Sequence, residues 1–199
     1  FDIGGVVVKK GKFNRIMKTF AKVVFGTINP DFFKEGHINR NIKEEWNEWR
    51  LGKITATEFF NRQRKKYHLK LSTAKMAYLL YHSQKPNRKI ISLIKKLHKK
   101  YDLYALTNHT KEWFAYQKKI YHYDELFKGI MTSFEAQSAK PDLLIYKKLL
   151  NKYNINPKDC LYIDDQQENI SPAQLLGMKT ILFISHKQLK KELKSNGVI

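Results

Sequence analysis

From Tyr101 to Lys194 the chain alternates short apolar runs with helix-length amphipathic stretches, and this alternation limits the fold most. Tyr101 to Leu106 reads as a strand ending in Thr107-Asn108, and a helical stretch follows to about Tyr121. Gly129 to Thr132 reads as a strand. Pro141 to Tyr153 reads as a helix, with Leu144, Ile145, Leu149 and Leu150 at helical spacing. After a turn around Pro157 come a strand over Leu161 to Ile163, a helix over Ser171 to Leu176 closed by Gly177, and a strand over Thr180 to Ile184. A last helix covers Gln188 to Lys194. Strands and helices in this order predict a parallel sheet with right-handed crossovers, an α/β core of Rossmann-like type.

The first part follows a different rhythm. Phe1 to Val8 reads as a strand broken by Gly4-Gly5, and a strand starting at once at Phe1 points to residues missing before it. From about Phe13 to Tyr81 the pattern is helical, with apolar faces from Phe20, Val23, Val24, Trp46, Trp49, Phe59, Phe60, Leu79 and Leu80. Thr55 followed by Glu58 is a capping box that opens one of these helices. The expected organisation is an α/β core, residues 1–12 and 84–199, with a small all-helical cap, residues 13–83, inserted after the first strand. Pro86 marks the return to the core. The aromatic residues Trp46, Trp49 and Tyr81 read mainly as packing.

Bulk properties narrow the class. The 199 residues suffice for one core and a small insert. No apolar run approaches the roughly 20 residues of a membrane helix, so no membrane partner is expected. The single cysteine, Cys160, excludes an internal disulfide and reads as a buried thiol in a reducing, cytoplasmic setting. The net charge of +20 draws anions: nucleic acids, acidic membrane surfaces or phosphorylated metabolites. The lysines are scattered, and no nucleic-acid signature accompanies them, so nucleic acid is the less favoured partner. Seven histidines form no HExxH or Cys-His pattern, which argues against zinc. His109 reads as an exposed bystander or a substrate contact.

The chemistry lies at the strand ends. Asp2 follows the first strand, Thr107 and Asn108 the second, Lys140 precedes a helix, and Asp164-Asp165 close the run Cys160-Leu161-Tyr162-Ile163. In a parallel sheet these ends share one edge, where ligands bind. Crowded carboxylates call for a cation. Asp2 can attack phosphorus, Thr107 can bond a phosphoryl oxygen, and Mg²⁺ can bridge Asp2, Asp165 and phosphate.

The segments FDIGG, LTN, AKPDLLIY and YIDDQQENISPAQLLGMKTILF resemble the four ordered motifs of the haloacid dehalogenase (HAD) superfamily, and WRLGKITATEFF resembles the cap of its subgroup I phosphatases. Within the superfamily the sequence is similar to sugar-1-phosphate phosphatases and to the N-terminal phosphatase domain of epoxide hydrolases. The resemblance implies a Mg²⁺-dependent phosphomonoester hydrolase with an aspartyl-phosphate intermediate. Asp2 matches the nucleophile, Thr107 the phosphate-binding residue with Asn108 beside it as a further substrate contact, and Lys140 the catalytic lysine. Asp165 would ligate the metal directly, Asp164 would hold a metal-bound water or Lys140, and Asn169 would support the loop. The family's second aspartate is replaced by Gly4, whose carbonyl can still ligate the metal but supplies no proton. Two alternatives stay open: a metal-independent 2-haloacid dehalogenase, and a non-catalytic phospholigand- or nucleic-acid-binding protein of the same fold.

Overall fold

The computed structural model describes residues 1–9, 44–82 and 84–199. Phe20, Val23, Val24 and the expected start of the insert at residue 13 lie outside the described residues. The elements are β1 (Val8–Lys9), a helix α1 through 44–50, α2 (Ala56–Tyr67), α3 (Thr73–Tyr81), β2 (Lys85–Pro86), α4 (Arg88–Leu97), β3 (Tyr104–Thr107), α5 (Lys111–Tyr121), β4 (Gly129–Thr132), α6 (Ser133–Ala136), α7 (Leu143–Tyr153), β5 (Leu161–Asp164), α8 (Gln167–Leu175), β6 (Lys179–Leu182) and α9 (His186–Ser195). The alternation from Tyr101 onward is therefore the α/β core that the sequence predicts.

Two parallel pairs, β3–β4 and β5–β6, form the sheet, and the extended segment at Phe1–Ile3 stitches them together. Phe1 N donates to Tyr104 O (2.9 Å), Leu106 N donates to Phe1 O (3.0 Å), and Asp2 N donates to Ile163 O (2.8 Å). The spatial order is thus β4, β3, Phe1–Ile3, β5, β6. Alternate side chains on a strand face opposite sides. Ala105, Ile163 and Ile181 accordingly join Ile90, Ile94, Leu189 and Leu193 in one core layer. Leu106 and Tyr162 join Ile145, Tyr146, Leu149 and Ala173 in the other. Helices α4 and α9 cover one face, and α7 and α8 cover the other.

The expected strand over Phe1 to Val8 ends early. Gly5 adopts φ +102°, open to glycine at little cost, and the chain turns there. Val8 N returns to Ile3 O (2.8 Å), and β1 pairs antiparallel with β2. Helix α8 begins at Gln167 rather than at Ser171, directly behind the acid pair, because buried Asn169 ties its first turn to Asp164. Cys160 precedes β5, is only half-buried, and donates its thiol to Asn156 O (3.3 Å).

Helices α1–α3 make a third apolar cluster. Trp49, Phe59, Phe60, Met76 and Leu80 pack with Trp113 from α5. Trp49 stacks on Phe59 at 4.6 Å between ring centroids. Thr55 and Glu58 form the expected capping box at the start of α2. Glu112 fastens this cluster to the first turn of α5: it accepts from Trp49 Nε1 (3.0 Å) and from Ala56 N (2.9 Å). Glu112, Ser133 and Phe134 all lie just past the carboxyl ends of β3 and β4. Ser133 Oγ donates to Arg50 O (2.6 Å), and Gly52 rests on Phe134. The helical cluster thus sits on the sheet edge to which the strands deliver their last residues.

Candidate active site

Lys140 lies at the centre of that edge. Its Nζ donates to Asp2 Oδ1 (2.8 Å) and to Asp164 Oδ2 (2.7 Å), and all three side chains are buried. Asp2 lies in the middle of the segment Phe1–Ile3, Asp164 ends β5, and Lys140 comes from the loop between α6 and α7. The structure therefore unites residues 138 positions apart in the chain. Asn108, next after β3, holds the Lys140 main chain: Nδ2 donates to Lys140 O (2.9 Å), and Lys140 N donates to Oδ1 (2.8 Å). Thr107, the last residue of β3, is buried beside Asn108.

Asp164 is fully engaged by the protein. Oδ2 takes Lys140 Nζ and the Tyr162 hydroxyl (2.6 Å), and Oδ1 takes Gln166 N (2.9 Å) and Asn169 Nδ2 (3.0 Å). Tyr162 also accepts from Lys140 Nζ (3.2 Å). Sequence reasoning missed Tyr162. The available signal was its position two residues before Asp164, which puts both side chains on one face of the strand. Asn169 stands where the sequence predicts, as a support of the acid pair.

Asp165 faces the turn at Gly5, where a Cβ would sit 2.2 Å from Asp165 Oδ2. Only glycine lets the two segments come this close. Gly4, by contrast, has open space where a side chain would begin.

Burial is the main electrostatic force on Asp2 and pushes its carboxyl up to about 6, reinforced by Asp164 and resisted by Lys140. Burial also opposes ionisation of Asp164, but Lys140, Tyr162 and Asn169 outweigh it and hold this group below the usual carboxylate range. Burial would lower Lys140, and its two carboxylate partners overcome this and raise it. Asp2, Asp164 and Asp165 each offer a carboxylate oxygen, and these lie within 4.8 Å of one another. Three acids against one lysine leave surplus negative charge, and an all-oxygen donor set suits a hard divalent cation. The residues fit such an ion.

His109, expected at the surface or at substrate, is buried: its N donates to Ser133 Oγ (3.0 Å), and its ring nitrogens face Thr110 O and Gln117 Oε1. Trp49 is core, and Trp46 and Tyr81 pack against it. A cavity of about 840 Å³ opens at the opposite edge of the sheet, beside Leu103, Lys128, Cys160 and Lys179, and none of the three acids lines it.

The sequence profile of a family described as haloacid dehalogenase-like hydrolase matches residues 9–183. The chain belongs to this family. The match takes in Thr107, Lys140, Asp164 and Asp165, and Asp2 joins them through its contact with Lys140. The HAD family enzyme of Bacteroides thetaiotaomicron, solved in complex with magnesium and inorganic phosphate, is 25% identical, and each chain covers 90% of the other with a TM-score of 0.74. The sesquiterpene phosphatase astK of Aspergillus oryzae is 26% identical over 181 residues, which span 89% of this HAD chain and 85% of the relative. The drimenol cyclase drtB of Aspergillus calidoustus is 24% identical over 155 residues, and this chain spans 29% of its length. Among the described residues no helix is long and apolar enough to cross a membrane.

Proposed function

We propose that the chain is a Mg²⁺-dependent phosphomonoester hydrolase acting on a small phosphorylated metabolite, with Asp2 as nucleophile. The observation that carries this reading is the buried Lys140 bridging Asp2 and Asp164, with Asp165 close by. The relative named a phosphatase and the one solved with magnesium and phosphate support it. The cap in this reading is residues 13–83, and the core is residues 1–12 and 84–199.

Mg²⁺, when bound, offsets the charge of the acids and of the phosphate. Asp2, Asp165 and the Gly4 carbonyl would hold it, and Asp164, whose oxygens already take four protein donors, supports the site by fixing Lys140. An Asp2 carboxylate oxygen attacks phosphorus, a new O–P bond forms, and the bond from phosphorus to the leaving oxygen breaks with its electron pair. Lys140 aims Asp2 and balances charge at the reacting end. Thr107 and the main chain around it bind a phosphoryl oxygen. Water then attacks phosphorus, the Asp2–phosphorus bond breaks, and Asp2 returns as a carboxylate while the water proton leaves with phosphate or solvent. Gly4 offers no proton to the leaving oxygen, so water or an intrinsically good leaving group fills that need. The +20 charge concentrates anionic substrates, and salt weakens this attraction.

The test is a panel of phosphomonoesters assayed with Mg²⁺ and with chelator, for wild type and Asp2→Asn. Turnover that needs both Mg²⁺ and Asp2 is the expected result. Turnover surviving Asp2→Asn would overturn the nucleophile assignment, and no turnover on any ester would overturn the phosphatase reading.

A further inference from the structure

Arg50 ends α1 at the seam between the helical cluster and the sheet edge. Its carbonyl is fixed by Ser133 Oγ, which itself accepts from the main chain of His109, next to Asn108. Its side chain is half-buried, and Nε is buried with no hydrogen-bond partner. Burial pulls its pKa below the usual guanidinium value, and the opposing pull comes from the field of Glu168, three residues past Asp165. A buried N–H without an acceptor is costly and calls for an explanation such as a ligand. Guanidinium is a planar fork of donors that matches carboxylate and phosphate.

At the reacting end the positive charge already comes from Lys140. Arg50 belongs to a different element, carried by the helices that rest on the edge, and it feels the field of Glu168 in the first turn of α8, next to the acid pair. We propose that Arg50 is a specificity residue that receives an anionic group, a carboxylate or a second phosphate, on the leaving-group side of the substrate. This assignment rests on the phosphatase reading above.

The experiment compares wild type, Arg50→Gln and Arg50→Lys, all with Mg²⁺, on three matched esters: two anionic in the leaving group, 2-phosphoglycolate and ethane-1,2-diol bisphosphate, and one neutral there, 2-hydroxyethyl phosphate. Wild type should prefer at least one anionic ester. Arg50→Gln should lose about tenfold or more in kcat/KM on that ester beyond its loss on the neutral one. The loss should fall on KM, as expected when uniform binding is removed. Arg50→Lys should recover part of it, since charge is kept and the fork is lost. The ester affected distinguishes a carboxylate from a phosphate.

An equal loss on all three esters, or no anionic preference in wild type, overturns the proposal. If wild type turns over none of these three esters, the phosphatase reading is judged by the wider panel above and Arg50 by calorimetry. Binding of 2-phosphoglycolate to Asp2→Asn with Mg²⁺ should weaken about tenfold when Arg50→Gln is added; unchanged binding overturns the assignment.

Discussion

Asn108 grips the main chain of Lys140 from both sides, donating from Nδ2 to Lys140 O at 2.9 Å and accepting from Lys140 N at Oδ1 at 2.8 Å. One strand end thereby fixes the loop that delivers the lysine, and the lysine fixes Asp2. The carboxamide read from sequence as a substrate contact spends a donor and an acceptor on this clamp.

Asn108→Ala should therefore act on both stability and catalysis. Two partly buried main-chain groups lose their partners, at about 1–3 kcal/mol. Displacement of Lys140 by even a fraction of an ångström should slow turnover, up to about 100-fold in kcat. Urea unfolding and initial rates read the two effects separately. Wild-type kcat in a destabilised variant would show that the clamp only supports the fold.

Asp164 is a counter-charge before it is anything else. Removing it by Asp164→Ala leaves Lys140 buried with one carboxylate and strips partners from Tyr162, Asn169 and Gln166 N. The expected loss is about 3–5 kcal/mol in equilibrium unfolding. A loss well under 1 kcal/mol would mean that water replaces the missing acid.

Much of this site was legible because its residues fall at period breaks. Asp2, Thr107, Lys140 and Asp164-Asp165 each stand where an apolar run or loop gives way to a new element, and a parallel sheet brings such points together. Tyr162 was not legible, since a tyrosine inside an apolar strand looks like packing until its hydroxyl is found 2.6 Å from Asp164 Oδ2. Glu112 carries no sequence signal beyond its place in the first turn of α5, and its bonds to Trp49 and Ala56 depend on tertiary placement. The turn after Ile3 was hidden by the run Val6-Val7-Val8, whose β propensity suggests an unbroken strand. The structure buries all three valines while sending the chain back on itself.

Gly4 and Gly5 should respond to substitution in opposite ways. Gly4 has room for a side chain, so Gly4→Asp should fold and should place a proton donor near the leaving oxygen. Hydrolysis of alkyl phosphates with poor leaving groups should rise, with about 10²–10⁴-fold as the ceiling. Gly5→Ala combines φ +102° with a Cβ driven into Asp165, and should cost both stability and metal affinity. Rates on paired alkyl and aryl phosphates, and Mg²⁺ titration by calorimetry, measure these outcomes. A Gly4→Asp variant with unchanged alkyl phosphate rates would show that proton supply does not limit the reaction.

His109 gives the fold a pH dependence of definite sign. Burial is the largest influence on the ring and pushes it down to about 4, against the hydrogen bonds to Gln117 and Thr110 that favour protonation. The unfolded chain releases the ring to its ordinary value near 6.5. Between these values the unfolded state binds a proton that the folded state refuses, so stability falls as pH drops. The contribution is whole above about 6.5 and is lost by about 4, the loss amounting to about 3 kcal/mol. Burial of Asp2 works in the opposite direction over part of the same range, since its folded carboxyl takes up a proton first. The informative quantity is thus the difference between wild type and His109→Gln in urea unfolding from pH 7 to pH 4. That difference should narrow or reverse steadily toward the acid end. A difference that does not change with pH would mean that the folded protein accommodates a charged His109 without cost.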